Sequence, residues 1–190
     1  MTFDFHTLLI QTIGFAAAAM LIFSYQTKTN RGLLIWQILG NLTFAIQFLM
    51  LGGLTGTLSL FVIICRNLTS LKYHDWAWVR TKWWIVLWLI VAASVMAVTW
   101  NGPVSLLPFL GACAGIFGYS TNDAQKIRLC TLVLGSPAWI LYDILVGSWG
   151  GILNETVTVI SVLVSIYRYG WKNMGGPDSS FNKKTKNNNP

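Results

Sequence analysis

Apolar stretches long enough to cross a bilayer occupy most of this chain. Seven stretches of about 20 residues match the helix length that a hydrocarbon core of about 30 Å requires. A β-barrel would instead show segments of about ten residues with strict alternation, whereas these stretches are apolar on nearly every face. We therefore expect an all-α membrane protein with seven transmembrane helices. Their predicted bounds are residues 8–26, 31–51, 55–72, 82–100, 103–121, 126–146 and 150–169.

Positive charge alternates between the connections of these predicted helices. Residues 51–54, 101–102 and 147–149 contain no lysine or arginine, and all 13 basic residues belong to the opposite side or to the C-terminal tail. Because positive residues are retained on the cytoplasmic side, the N-terminus is predicted outside and the C-terminus inside. The net charge of +7 follows from this topology and does not indicate a nucleic-acid partner.

Motifs for catalysis and metal binding are absent from the sequence. The histidines, His6 and His74, are predicted on opposite sides of the membrane. No metalloprotease, nucleophile-elbow or Walker motif occurs, and the cysteines lack metal-ligand spacing. We expect no enzyme activity, no cofactor and no bound metal. Residues 171–190 contain too few apolar side chains to fold, which predicts a disordered cytoplasmic tail.

The sequence aligns with itself, without a gap, when it is shifted by 95 residues. The shift superimposes the first three predicted helices on the last three, and the odd fourth helix gives both halves the same orientation. We expect parallel repeats in a 3+1+3 arrangement. The matched glycines are Gly40 with Gly135, Gly52 with Gly147 and Gly56 with Gly151. The predicted units are a first repeat at 1–74, a linker helix at 75–102, a second repeat at 103–170 and the tail at 171–190.

Short motifs in the predicted helices resemble those of known membrane proteins. The overall pattern, with Phe23-Ser24-Tyr25-Gln26 and Arg66-Asn67, is similar to the bacterial inner-membrane YgjV family over about residues 8–170. The parallel plan, Ser24-Tyr25-Gln26 followed by Lys28, and Asn154 early in the last helix also resemble PQ-loop, SWEET and PnuC-type transporters. The resemblance implies a seven-helix carrier fold in the inner membrane.

A ligand site follows from the SWEET resemblance in particular. SWEET-like carriers hold a ligand near the midplane between an aromatic residue on the second helix and an Asn on the third. The resemblance implies that Phe44, Trp139 and Asn154 take these roles here, with Ser59 in place of the first-half Asn. The Pro-Gln pair that names PQ-loop proteins is replaced by Tyr25-Gln26 and Ser120-Thr121.

Polar residues recur along one face of the third helix in each half. Residues at i, i+4, i+7 and i+11 share a helix face, and polar groups facing lipid would lack partners, so both faces are expected to point inward. Helix packing through small hydroxyl side chains is the alternative. These polar stripes are Asn154, Thr158, Ser161 and Ser165 in the last helix and Ser59, Ile63, Arg66 and Ser70 in the third.

The second helix of each half supplies a matching face of polar and aromatic residues, spaced by three, four or seven positions. An aromatic ring above a small polar side chain suits a flat or cyclic ligand, although core packing would also explain the aromatic residues. The faces are Gln37, Asn41 and Phe44 in the first half and Ser136, Trp139 and Asp143 in the second.

Three charged residues lie inside predicted helices, where each costs about 2.5–3.5 kcal/mol at the helix centre on insertion scales. At 1.5 Å per residue, Asp143 and Glu155 lie about 6 Å below the outer surface and Arg66 about 15 Å below it. Side chains lean toward the N-terminus of their helix, so Arg66 and Asp143 are predicted to meet directly or through a water or ligand. Glu155 leans outward and is the candidate for a titrating residue at the entrance. Solvation of the acids at the interface and snorkelling of Arg66 are the alternatives.

These observations favour a secondary transporter or facilitator of a small polar metabolite in the inner membrane, with alternating access between the two repeats. The absence of a Walker motif removes directly bound ATP as an energy source, which leaves facilitated diffusion or coupling to an ion. The alternative is a membrane scaffold or partner-binding subunit that does not transport. The lipid bilayer is an expected partner, and a homo-oligomer remains open. The candidate ligand-binding residues are Asn41, Phe44, Ser59, Arg66, Ser136, Trp139, Asp143, Asn154, Glu155 and Thr158.

Overall fold

The structure is a computed structural model that describes residues 5–24, 30–72, 75–120 and 124–169. Helices dominate these ranges, and no strand occurs within them. The predicted tail, residues 171–190, lies outside the described residues. The helices are α1 (Phe5–Ser24), α2 (Asn30–Met50), α3 (Leu54–Leu71), α4 (Lys82–Val98), α5 (Leu106–Ser120), α6 (Ala124–Cys130), α7 (Ser136–Val146) and α8 (Trp149–Tyr169).

The apolar helices coincide with the predicted spans, and their ends agree within three residues. Four helical stretches in the described ranges are long and apolar enough to cross a membrane, and three shorter apolar helices occupy the remaining spans. Large apolar side chains remain exposed along them, as expected of surfaces that contact lipid. The all-α class is therefore confirmed. The four stretches are Phe5–Ser24, Leu54–Leu71, Pro103–Ser120 and Arg128–Val146, and the shorter ones are Leu34–Met50, Lys82–Val98 and Trp149–Val164.

Each of the three uncharged connections turns on a glycine with positive φ. The angles are 76° at Gly52, 86° at Gly102 and 75° at Gly147, a left-handed region that glycine enters without steric cost. After Gly147, the Ser148 N–H donates to the Asp143 carbonyl at 2.8 Å, which satisfies a carbonyl at the end of α7. Glycine therefore permits connections of only a few residues between helices.

Hydrogen bonds bring these three connections to the same end of the bundle. The Thr55 hydroxyl donates to the Thr99 carbonyl at 2.9 Å, which joins the α2–α3 turn to the α4–α5 connection. The Ser148 hydroxyl donates to Gln47 Oε1 at 3.0 Å, which joins the α7–α8 turn to the end of α2. We call this end, formed by the connections at Gly52, Gly102 and Gly147, the glycine-turn end.

The sixth predicted helix, drawn at 126–146, is present and contains an irregular segment. A π-helical segment, Thr131–Gly135, separates α6 from α7. Pro137 lies just after it and has no N–H to donate to the carbonyl of Val133, four residues earlier. A proline inside a helix is a common cause of such irregularity. The proline within the apolar stretch was the signal for this interruption.

The third helix is the most enclosed element, and half of its length is buried within the bundle. α3 packs against α2, α4 and α5, whereas α1 packs against α2 and α8. Small residues such as Gly56, Thr57 and Ser59 are buried along α3 and allow neighbouring backbones to approach closely. The Trp84 indole N–H donates to the Thr69 hydroxyl at 3.0 Å and anchors α4 on α3. The helix pairs α1 with α8 and α3 with α5 are in contact, and each pair joins the first helix of one predicted repeat to the third helix of the other.

Candidate functional site

A small cavity lies among α2, α3, α7 and α8, with one side chain contributed by α1. Its volume is about 60 Å³, which is room for a few water molecules. Six of the ten predicted site residues line it. Its lining consists of Leu21, Asn41, Phe44, Phe48, Leu60, Ile63, Trp139, Asp143, Gly151, Asn154 and Glu155.

Aromatic rings form one wall of this cavity. Phe48 and Trp139 stack with centroids 6.1 Å apart and planes 3° apart, and Phe44 stacks on Phe48 at 6.1 Å. Trp139 can occupy this position because Gly111 on α5 has no side chain, and a Cβ there would collide with the Trp139 indole ring. The wall therefore joins helices of both halves, since Phe44 and Phe48 lie on α2 and Trp139 lies on α7.

Polar and acidic groups also line the cavity. Asp143 is 2 % exposed and Asn154 is 5 % exposed. The Asn154 amide N–H donates to Glu155 Oε1 at 3.1 Å, and the buried Ser136 hydroxyl approaches the same carboxyl without an aligned hydrogen bond. Asp143 Oδ1 and Asn154 Oδ1 have no hydrogen-bond partner in the structure. Two buried acceptor atoms are therefore available beside the cavity.

Glycines at the start of α8 set the position of the Asp143 carboxyl. A Cβ on Gly151 would collide with the carboxyl group of Asp143, so the absence of a side chain there leaves it space. Gly150 lies against the backbone of Gly14 on α1, and a Cβ on Gly150 would overlap that backbone. The sequence Gly150-Gly151 thus permits α8 to approach α1 on one side and Asp143 on the other.

The direct contact predicted between Arg66 and Asp143 does not form. Arg66 is 4 % exposed, its Nη2 donates to Asn67 Oδ1 at 2.9 Å, and its guanidinium lies 4.6 Å from the centroid of the Tyr119 ring. Across the described parts of the chain, the ion pair present is Lys72–Asp75, and it is exposed. The direct form of this prediction is wrong because depth along the helix was counted, whereas Arg66 is directed toward Tyr119 on α5. Bridging through a water or ligand stays a prediction.

The other predicted residues outside the cavity lining are buried nearby. Ser59 is buried on α3, one position before Leu60. Thr158 is buried on α8, one turn beyond Asn154. The prediction that the polar stripe of α8 faces inward is wrong at Ser161. This residue is exposed, and Val162 is the buried residue instead. The buried row follows every fourth residue, as occurs where helices cross at an angle. The Ser165 side chain lies outside the part of the chain that the structure describes.

Several residues at the cavity were not predicted from the sequence. Phe48 lies seven positions after Asn41 and four after Phe44, so extending the same helical face would have found it. Gly151 was noted only as part of the repeat. Leu21 and Leu60 carry no signal that distinguishes them from other leucines in apolar helices.

Two hydrogen bonds link the halves near the cavity. The Gly56 N–H on α3 donates to the Tyr142 hydroxyl on α7 at 3.0 Å. The Ser148 hydroxyl, at the start of α8, donates to Gln47 Oε1 on α2 at 3.0 Å. The predicted repeat offset of 95 residues would relate Gln47 to Tyr142, and each of these residues accepts a hydrogen bond from the other predicted repeat.

The chain is similar to a known family of membrane proteins. A family model described as bacterial inner membrane protein, Imp-YgjV, matches residues 8–173, which is most of the chain. No curated protein and no solved structure matches the chain.

Proposed function

The chain belongs to the Imp-YgjV family of bacterial inner membrane proteins, and we propose that it is a secondary carrier or facilitator of a small polar metabolite. The observation that carries this proposal is the cavity, which lies between helices of the two halves and combines an aromatic wall with buried polar groups. Sites of this kind, near the interface of two repeats, are typical of secondary transporters. Residues that would contact the metabolite are Asn41, Phe44, Trp139, Asp143, Asn154 and Glu155.

The 3+1+3 parallel repeat is part of the same proposal. It is supported by the reciprocal contacts of Gln47 and Tyr142, and by the packing of α1 against α8 and of α5 against α3. A rotation about an axis along the membrane normal would exchange the two helix pairs and would exchange Gln47 with Tyr142, although the donors to these two residues are not equivalent positions. The proposed units remain 1–74, 75–102 and 103–170, with alternating access produced by rocking of one half against the other.

The proposal also includes the orientation of the protein in the membrane. The glycine-turn end contains the three uncharged connections, and the positive-inside rule places this end outside the cell. Asp143 lies four residues before Gly147, about 6 Å along the helix, so the acidic wall would lie close to the outer surface.

The second candidate is a scaffold or partner-binding subunit with no transport. The small volume of the cavity, about 60 Å³, favours it, because drug-sized and metabolite-sized ligands occupy larger pockets. A carrier would have to enlarge this space when its halves move, whereas a scaffold would keep it closed.

Ligand binding by the purified protein separates these two functions. A metabolite that binds the folded state raises the unfolding temperature, so thermal-shift screening of a polar metabolite library should give at least one hit for a carrier. The Asn154→Ala variant should lose the shift, and Thr156→Ala should retain it, because Thr156 is exposed on the same helix and its hydroxyl donates only to the Ile152 carbonyl. A library without hits, or a hit that Asn154→Ala leaves unchanged, would favour the scaffold.

A further inference from the structure

On the residues that line the cavity, the buried polar atoms without a hydrogen-bond partner are acceptors. They are Asp143 Oδ1 and Asn154 Oδ1, and one N–H of the Asn154 amide is donated to Glu155. A buried acceptor without a partner costs about 1–3 kcal/mol, so the site favours a ligand that donates hydrogen bonds. Both acceptors belong to residues that line the cavity.

No positive side chain balances the two acids there. In the ranges that the structure describes, Asp143 and Glu155 form no ion pair with Lys, Arg or His. Arg66, the charged residue of α3, is directed at Asn67 and Tyr119 and does not line the cavity. A buried carboxylate without an ion-pair partner, such as that of Asp143, is strongly unfavourable while charged, and a bound cation would offset that cost.

The aromatic wall has the same preference. Phe44, Phe48 and Trp139 line the cavity together with the acids, and an aromatic ring attracts a cation through its quadrupole. Acceptor oxygens and aromatic rings around one cavity are the usual surroundings of an ammonium group.

We propose that this cavity binds the ammonium group of a small organic cation. Asp143, Glu155 and Asn154 Oδ1 would accept hydrogen bonds from its three N–H groups, and the aromatic rings would lie beside it. The volume of about 60 Å³ admits an ammonium group with a short aliphatic chain and excludes a large headgroup. This inference rests on the proposed function in that it names the class of metabolite, but binding itself requires no transport.

Equilibrium binding to the purified wild-type protein tests the proposal. Methylammonium and ethanolamine are the cationic probes, with ethylene glycol and glycolate as the neutral and anionic analogues of ethanolamine, all at constant ionic strength and pH. The cations should raise the unfolding temperature and saturate, whereas the analogues should not. Stabilisation by glycolate or ethylene glycol without stabilisation by either cation would overturn the inference. The inference would also be overturned if neither cation raised the unfolding temperature and the two acids only exchanged protons with the solvent.

Charge-removing variants of the same size locate the site. Glu155→Gln should weaken cation binding at least about tenfold, because a charge-assisted hydrogen bond is lost. Asp75→Asn is the matched control, since Asp75 is an exposed acid paired with Lys72, and it should bind as the wild type does. Equal binding by Glu155→Gln and the wild type would place the cation elsewhere and overturn the inference. If Glu155→Gln does not fold, Gly151→Ala, which displaces the Asp143 carboxyl, serves the same purpose.

Uptake into proteoliposomes keeps this inference separate from the proposed function. Cation binding without uptake would support the site and argue against a carrier. Uptake of a neutral or anionic solute, with no cation bound, would support a carrier and overturn the ammonium site.

Discussion

The Tyr142 hydroxyl on α7 accepts a hydrogen bond from the Gly56 N–H on α3 at 3.0 Å. Gly56 allows this contact because a Cβ there would overlap the tyrosine ring. Together with the bond from Ser148 to Gln47, it joins the two halves at the glycine-turn end, next to the cavity. A carrier that moves its halves against each other would have to break or pivot about these bonds.

Removing the Tyr142 hydroxyl should destabilise the protein. In Tyr142→Phe the buried Gly56 N–H loses its acceptor, which costs about 1–3 kcal/mol. Denaturant unfolding in detergent measures this loss. Tyr167→Phe is the control, because Tyr167 is 92 % exposed and its hydroxyl should contribute little. Equal stability of the two variants would show that the bond between the halves is not formed.

Close approach of α8 to α1 makes Gly150 intolerant of a side chain. In Gly150→Ala the new Cβ would overlap the Gly14 backbone, which cannot rotate away, so overpacking should cost about 1–3 kcal/mol or more. Gly135→Ala is the matched control, because its Cβ would lie 3.6 Å from the Ala114 Cβ, an ordinary contact. Thermal unfolding of both variants checks this. A stable Gly150→Ala protein would mean that α1 and α8 are further apart than described.

Arg66 should act independently of Asp143. Because the two residues make no contact, the losses of stability in Arg66→Ala and Asp143→Ala should add within about 0.3–0.5 kcal/mol in the double variant. Arg66→Ala and Tyr119→Leu should instead be non-additive, since the guanidinium lies on the Tyr119 ring. A measured coupling energy between Arg66 and Asp143 in a double-mutant cycle would instead support the contact that the sequence predicts.

Membrane orientation can be measured by labelling single cysteines in a cysteine-free background. Asn101→Cys, in an uncharged connection, should react with an impermeant reagent in intact cells, and Asp75→Cys only after permeabilisation. Both native residues are exposed, so access to the reagent is not limited by packing. The opposite pattern would invert the proposed topology.

Helix content and helix ends were accessible from the sequence because apolar length and charge placement are local properties. Helical spacing grouped Asn41 with Phe44 and Trp139 with Asp143, and the structure brings these four residues to one cavity, whereas Gln37 and Ser136 of the same predicted faces do not line it. Ligand binding there remains a prediction. The direction of Arg66 was not accessible, because it depends on how α3 is rotated against its neighbours. Val162 is buried rather than Ser161 because packed helices cross at an angle. The residue pattern of one helix holds no information about this angle.

Transport itself is the central claim, and uptake from a metabolite mixture tests it most directly. Proteoliposomes with the purified protein would be incubated in a defined mixture of polar metabolites, and their contents measured by mass spectrometry against protein-free liposomes. We predict that wild-type protein admits at least one small polar metabolite, and that Asn154→Ala admits it more slowly while Thr156→Ala does not differ from the wild type. Contents identical to those of protein-free liposomes would contradict the account and leave a scaffold as the function of this fold.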